Sequence, residues 1–143
     1  MKMIARRLGD GLMDFEFRDK YPELKTLDPW VSELNQNRCY SIIHENGTYL
    51  GIGVIYNIDY AKSEAELGAS INNKPYWGKG YGTLAMQFLV ATCRVSGIKR
   101  VYAKLVEGND RAFFSEQKAG MKQYGTSVIN GIKFILMEQY LII

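Results

Sequence analysis

The run from Pro75 to Thr83, "PYWGKGYGT", carries glycine at every second position: Gly78, Gly80 and Gly82. Glycines spaced this way let backbone amides approach a ligand with no side chains in between. A Walker A loop needs glycine, four residues, then Gly-Lys-Ser/Thr. Here Gly78-Lys79 is followed by Gly80, and position 73 is Asn73, so that reading fails. A dinucleotide fingerprint fits only as Gly80-Tyr81-Gly82-Thr83-Leu84-Ala85, and it wants a strand leading straight into the glycines and a βαβ series after them. Asn72 to Trp77 intervene instead, and a single further β-α unit precedes an antiparallel hairpin. The reading that fits both loop and context is an anion nest, successive amides at a helix N-terminus where the dipole favours negative charge. A plain helix-start turn is the alternative, but such a turn rarely needs three alternating glycines.

The flanking sequence supplies elements able to hold that loop. "TLAMQFLVATCRVSG" places Leu84, Phe88 and Ala91 on one helical face, with Ala85, Leu89 and Cys93 beside it and Gly97 as a stop. "EAELGASI" alternates Leu67, Ala69 and Ile71 against Glu66, Gly68 and Ser70, the period of a strand. "IKRVYAKLV" alternates likewise, and "NDRAFFSEQKAG" predicts a short helix capped by Asn109 and followed by Gly120. Upstream, "CYSIIHENGTYLGIGVIYNI" holds two β-rich runs about Asn46-Gly47, a pair suited to a type I′ hairpin. "MKQYGTSVINGIKFILMEQYLII" predicts a second hairpin about Asn130-Gly131. "MIARRL" is a candidate first strand, and "TLDPWVSELNQ" reads as a helix entered through Asp28 with Pro29 in its first turn. From His44 onward the order is β, β, loop, α, β, α, β, β, a mixed α/β domain.

At 143 residues the chain is long enough for one cored domain and too short for two. With 47% hydrophobic and 23% charged residues, it has the balance of a globular protein rather than a disordered one. No apolar run reaches membrane-spanning length and "MKMIARRLGDG" lacks a signal peptide's apolar segment, so a cytoplasmic protein without membrane attachment is expected. The net charge of +3 is mild, and the densest basic patch, "IKRVYAK", alternates along a strand, so no nucleic-acid partner is expected. Cys39 and Cys93 match no metal spacing and read as buried thiols in a reducing compartment. With His44 the only histidine, no metal site is expected.

Residues 38–125 resemble the core of the GNAT family of N-acetyltransferases, and are most similar to the branch that includes the ribosomal-protein N-terminal acetyltransferases. The family's Q/R-x-x-G-x-G/A loop falls on Trp77-Gly78-Lys79-Gly80-Tyr81-Gly82, with tryptophan opening it. Its asparagine before the next helix falls on Asn109, in "GNDRA", and its Leu-Gly-Phe helix end on Ala119-Gly120-Met121. The resemblance implies an α/β GNAT fold, a mixed, mostly antiparallel sheet with a central splay and flanking helices. It implies a single domain over residues 1–143, divided into a shortened acceptor-side region 1–37, a CoA-binding core 38–125 and a C-terminal strand 126–143.

The same resemblance implies acetyl-CoA as donor, with its pyrophosphate held by Trp77, Gly78, Lys79, Gly80, Tyr81, Gly82 and Thr83. Its pantetheine would pair with the backbone of Ala69 and Ile71 and meet Asn109, and an amide near Ile71 would polarise the thioester carbonyl. A primary amine on a protein N-terminus, a polyamine or an amino sugar would attack directly in a ternary complex. Glu66 stands where this branch often carries a base, acting directly or through water, with Glu64 on the same face; its other reading is an exposed strand carboxylate. Asp59, Glu64 and Glu66 would suit a cationic amine. Where the family commonly has a tyrosine to protonate the departing thiolate, this chain has Glu116, which can donate only if burial raises its pKa. Tyr124 and Tyr140 are the substitutes for that role. Tyr21, Asp28 and Trp30 are candidates for the acceptor wall, although the region before "RCYSII" is shorter than the family's. Those two departures keep open an alternative, a catalytically weak acyl-CoA-binding module with a regulatory or partner-binding role. The apolar tail "FILMEQYLII" either pairs with a copy of itself in a homodimer or is a buried strand.

Overall fold

Alternation along the sequence becomes the two faces of one sheet in the computed structural model, which describes residues 1–9, 13–18, 27–28 and 37–141. The strands are β1 (Lys2–Leu8), β2 (Met13–Arg18), β3 (Arg38–His44), β4 (Tyr49–Asp59), β5 (Glu64–Ile71), β6 (Arg100–Val106), β7 (Lys122–Ile129) and β8 (Ile132–Tyr140). Helix α1 (Tyr81–Val95) joins β5 to β6, and α2 (Asp110–Lys118) follows β6. The strand order is β2-β1-β3-β4-β5-β6-β8-β7, and only the β5–β6 step is parallel. A parallel step needs a crossover, which α1 supplies.

One face of the sheet packs on α1. Phe88 is its hub, fully buried, with the rings of Phe15, Phe17 and Tyr40 centred 6.3, 5.7 and 5.1 Å away. Truncating such a residue to alanine costs about 3–5 kcal/mol. Asp28 is sealed into this layer, accepting hydrogen bonds from the Arg7 guanidinium and the Tyr40 hydroxyl, each at 2.7 Å. It is therefore a structural carboxylate and does not line an acceptor wall. Tyr21, Trp30 and, apart from Leu27 and Asp28, the helix expected over 26–36 lie outside the described residues.

Three local features differ from the sequence expectation. Strand β2 is additional, although Phe15 and Phe17 alternate with Asp14, Glu16 and Arg18 as a half-buried strand should. The hairpin at Asn46-Gly47 forms, but only Gly47 has positive φ, and its N–H donates to His44 O at 2.8 Å. That is a three-residue loop, accommodated by the register shift at Ile42/Ile43, and not a two-residue type I′ turn. At Asn130-Gly131 both φ values are positive, between the paired Ile129 and Ile132. Cys93 is buried, whereas Cys39 is half-buried. Strand β8 is flanked on both sides, by β6 and β7, so of the two readings of the apolar tail the interior strand is the one formed, and β7 holds the open edge. Among the described residues no helix is long and apolar enough to cross a membrane.

Candidate active site

Strands β5 and β6 pair only at Glu64↔Arg100, Ala65↔Val101 and Glu66↔Tyr102, then part, although β5 runs on to Ile71 and β6 to Val106. The other edge of β5 stays on β4 as far as Ile71↔Gly51. Asn72 N–H donates to Leu50 O at 2.8 Å, so the alternation of an antiparallel ladder turns the backbone groups of Ala69 and Ile71 away from β4 and into the gap. Gly51 permits this closeness, since a Cβ there would collide with the Ser70 carbonyl oxygen. The gap opens into a cavity of about 700 Å³. Leu67, Ala69, Ile71 and Leu105 line it from the face that packs on α1, and Gly68, Ser70, Lys104 and Val106 from the other. The cavity is therefore a passage between the two strands, bordered by residues of both faces: an inner side towards the helices and an outer side opposite.

The glycine run forms the inner side. Gly78 and Gly80 have φ of 74° and 92°, the left-handed region where other residues are strained. Gly82 is needed for another reason: a Cβ there would come within 3.1 Å of Ser115 Oγ on α2. Gly80 caps α1 without a side chain, and the first turn holds no acidic residue. The amides of Tyr81, Gly82 and Thr83 thus lack intrahelical partners and border the cavity, an opening suited to an anion. Trp77 braces the loop, its Nε1–H donating to Ile71 O at 2.6 Å, and the Arg111 guanidinium stacks 3.4 Å from the centre of its ring. Asn109 caps α2 by accepting from Ala112 N–H at 3.3 Å and also lines the cavity.

Glu116 enters the inner side from α2. It is 6% exposed, its Oε2 has no hydrogen-bond partner among the described residues, and burial raises its carboxyl from the ordinary 4.5 to about 7. It is the one buried residue of that helix. Half of it is therefore protonated near neutral pH, the condition a proton donor requires.

Glu66 occupies the outer side. It is 4% exposed, so the exposed-carboxylate reading does not hold. Its Oε2 accepts from the Tyr56 hydroxyl at 2.7 Å and its Oε1 from the Asn57 amide at 2.9 Å. Asn57 reaches it from an irregularity in β4, where φ is 50°; bulges commonly re-aim a side chain in this way. Burial, and then the bond to Glu66, raise the Tyr56 phenol, which keeps it a neutral donor. Glu66 stands just outside the cavity wall, but Lys104, which does line that wall, places Nζ 3.9 Å from Glu66 Oε2.

A sequence profile, described as the Acetyltransferase (GNAT) family, matches residues 8–120. The chain belongs to the GNAT acetyltransferase family. No curated protein sequence matches it. Among solved structures, a mutant spermidine N-acetyltransferase from Vibrio cholerae aligns with a TM-score of 0.66 at 18% identity, over 75% of this chain and 67% of that one. The enzyme from the same organism in complex with CoA and spermine aligns with 0.66 at 18% identity, over 73% and 65%. A Vibrio cholerae protein assigned as a ribosomal-protein-serine acetyltransferase aligns with 0.66 at 17% identity, over 74% and 65%. These likenesses are of fold, and they do not single out the ribosomal-protein branch. This chain spans about two thirds of the length of each.

In this GNAT domain, the passage brings Ala69, Ile71, Trp77, Gly78, Gly80, Tyr81, Gly82, Thr83, Asn109 and Glu116 together. Lys79 is not among its lining residues; its ammonium lies 5.5 Å from the Tyr76 ring. The Tyr81 side chain packs against the rings of His44 and Tyr76. Tyr124 and Tyr140 are drawn away to the Arg100 guanidinium, at 5.3 and 6.0 Å, and do not border the passage. Glu64 is held by Arg100 at 2.8 Å, and Asp59 accepts from the Lys62 amide in a turn; neither borders the passage. Tyr56, Asn57, Lys104 and Arg111 were not singled out by sequence; only Arg111, two residues after the cap Asn109, stood close to a motif.

Proposed function

We propose that this domain transfers an acetyl group from acetyl-CoA to a primary amine by direct attack in a ternary complex. The observation that carries this reading is the passage, with an anion-cradling helix start and a protonatable Glu116 on one side and a hydrogen-bonded Glu66 on the other. Acetyl-CoA, when bound, supplies an activated thioester carbonyl. The amides from Gly78 to Thr83 hold its pyrophosphate, with Arg111 braced nearby on Trp77. Ala69 and Ile71 offer backbone groups to the pantetheine, and the Ile71 N–H faces the thioester carbonyl as an oxyanion donor. The Ile71 carbonyl already accepts from Trp77, so the pairing rests on that N–H and on Ala69.

Glu66 receives the amine's proton through a bridging water, and Glu116 gives one to the departing thiolate. The base matters according to acceptor: at pH 7 about one in 2,500 lysine-like amines is neutral, against roughly one in seven α-amines. The neighbours' names make polyamines and protein N-termini the acceptor classes to try first. The free thiols suit a reducing cytoplasm, and the open edge of β7, with exposed Val128 and Ile129, is where a homodimer would form. A second reading, a CoA-binding module with little transfer, draws on Glu116 in place of tyrosine. Calorimetric titration with acetyl-CoA, then thiol release with a panel of amines, separates the two. Binding with release supports the transferase, binding without release supports the module, and no binding removes both.

A further inference from the structure

We propose that Lys104 is itself an acceptor, acetylated on its ε-amine within its own chain when no other amine occupies the outer side. This rests on the reading of the domain as an amine acetyltransferase. Lys104 lies two residues beyond Tyr102, the last β6 residue paired with β5. Strand parity puts its side chain on the face of Tyr102 and Glu66. Continuing the register across the splay would set Lys104 opposite Gly68, which has no side chain to block the space between them. Glu66 does not line the passage, whereas Lys104 both lines it and approaches Glu66 Oε2 at 3.9 Å. The lysine is therefore the group that connects the base to the cavity, and a small swing of its side chain or one water closes the 3.9 Å to Glu66.

Mobility favours the same assignment. The Lys104 side chain is 43% exposed and the Glu66 side chain 5%, so the amine is free to swing while the carboxylate is held by Tyr56 and Asn57. An ion pair at the limit of contact distance and open to solvent is worth little as a stabilising feature, so it does not fix the amine in place. Lys118 also borders the cavity, but it comes from α2, on the inner side with Glu116.

The step balances as follows. The Lys104 ammonium gives one proton to Glu66, which releases it to solvent. The neutral nitrogen forms a bond to the acetyl carbon while the carbon–sulfur bond breaks, and the thiolate takes a proton from Glu116. The nitrogen's second proton is lost and restores Glu116 through water. The products are acetyl-lysine at position 104, free CoA thiol and one released proton.

The test is intact-mass and peptide mapping of the full chain incubated with acetyl-CoA and no added amine. We expect one acetyl group on Lys104, added at a rate independent of protein concentration and at least tenfold faster than on the exposed Lys62 and Lys99. Adding an amine that the domain acetylates should suppress the modification. Glu66→Gln should slow it at Lys104 while leaving the slow chemical acetylation of Lys62 and Lys99 unchanged. Lys104→Arg should remove it. If the protein binds acetyl-CoA and acetylates added amines, yet Lys104 reacts no faster than Lys62 and Lys99, this inference alone is overturned. If acetyl-CoA does not bind, the transferase reading falls and this one with it.

Discussion

Glu66 and Glu116 stand on opposite sides of one passage and are almost equally buried, at 4% and 6% exposure. Their surroundings differ in kind. Glu66 has a phenol, an amide and an ammonium facing its two oxygens, whereas Glu116 Oε2 faces no donor. Desolvation at Glu116 meets no offsetting donor at Oε2 among the described residues, and its carboxyl rises to about 7. Burial by itself does not decide what a carboxylate can do; the donors buried with it do. On the proposed reading, Glu66 accepts a proton and Glu116 gives one.

The largest effects should come from neutralising each in turn. Glu66→Gln and Glu116→Gln are each expected to lower kcat about 100-fold, the lower end for loss of a general base or acid. The two deficits should separate with the acceptor: the Glu66→Gln loss shrinks for amines of low pKa, and the Glu116→Gln loss does not. Glu116 donates only while protonated, so kcat should fall as pH rises through about 7, and Glu116→Gln should lack that fall. A pH–rate profile with the same limb in the variant would erase the contrast.

Stability should move in opposite directions. The folded-state pKa of Glu116 is raised above the ordinary 4.5, so its stability contribution is complete below about 4.5 and lost as pH rises through about 7. Relative to wild type, Glu116→Gln should gain on the order of 2 kcal/mol at pH 8, with the gain closing towards pH 4.5. Glu66→Ala strands the Tyr56 hydroxyl and the Asn57 amide and should cost about 1–3 kcal/mol. Urea unfolding of both at pH 5 and pH 8 tests the signs.

Smaller changes probe the supports. Tyr56→Phe removes one donor to Glu66 and should lower kcat/KM by about tenfold, leaving the limb near pH 7 in place. Asn109→Ala uncaps the helix that carries Glu116 and should cost about 1 kcal/mol, read as a fall in Tm of about 4 °C. An unchanged Tm would mean that Asn109 serves the ligand and not the helix.

The inner side of the passage was largely legible because its signals are local. Positive φ at Gly78 and Gly80 and a cap at Asn109 are properties of one residue and its neighbours. Even there the direction of the Lys79 side chain, towards the Tyr76 ring, was not legible. The outer side was not legible. Glu66 takes its partners from an irregularity in β4 and from the far strand of the splay, and no spacing in the sequence reports that Tyr56, Asn57 and Lys104 converge. Tyr124 and Tyr140 were reasonable candidates by residue type, and only the fold sets them around Arg100.

Sequence by itself determined the strand alternation, the helix that crosses between β5 and β6, the glycine loop at its start and the presence of glutamate at 66 and 116. These follow from backbone preference and side-chain period, which act over a few residues. Tertiary structure decided where β5 and β6 part, which residues line both faces of the opening and how far burial raises the Glu116 carboxyl. Those depend on desolvation and on donors contributed from distant positions, quantities summed over the packed molecule and absent from any local stretch of chain.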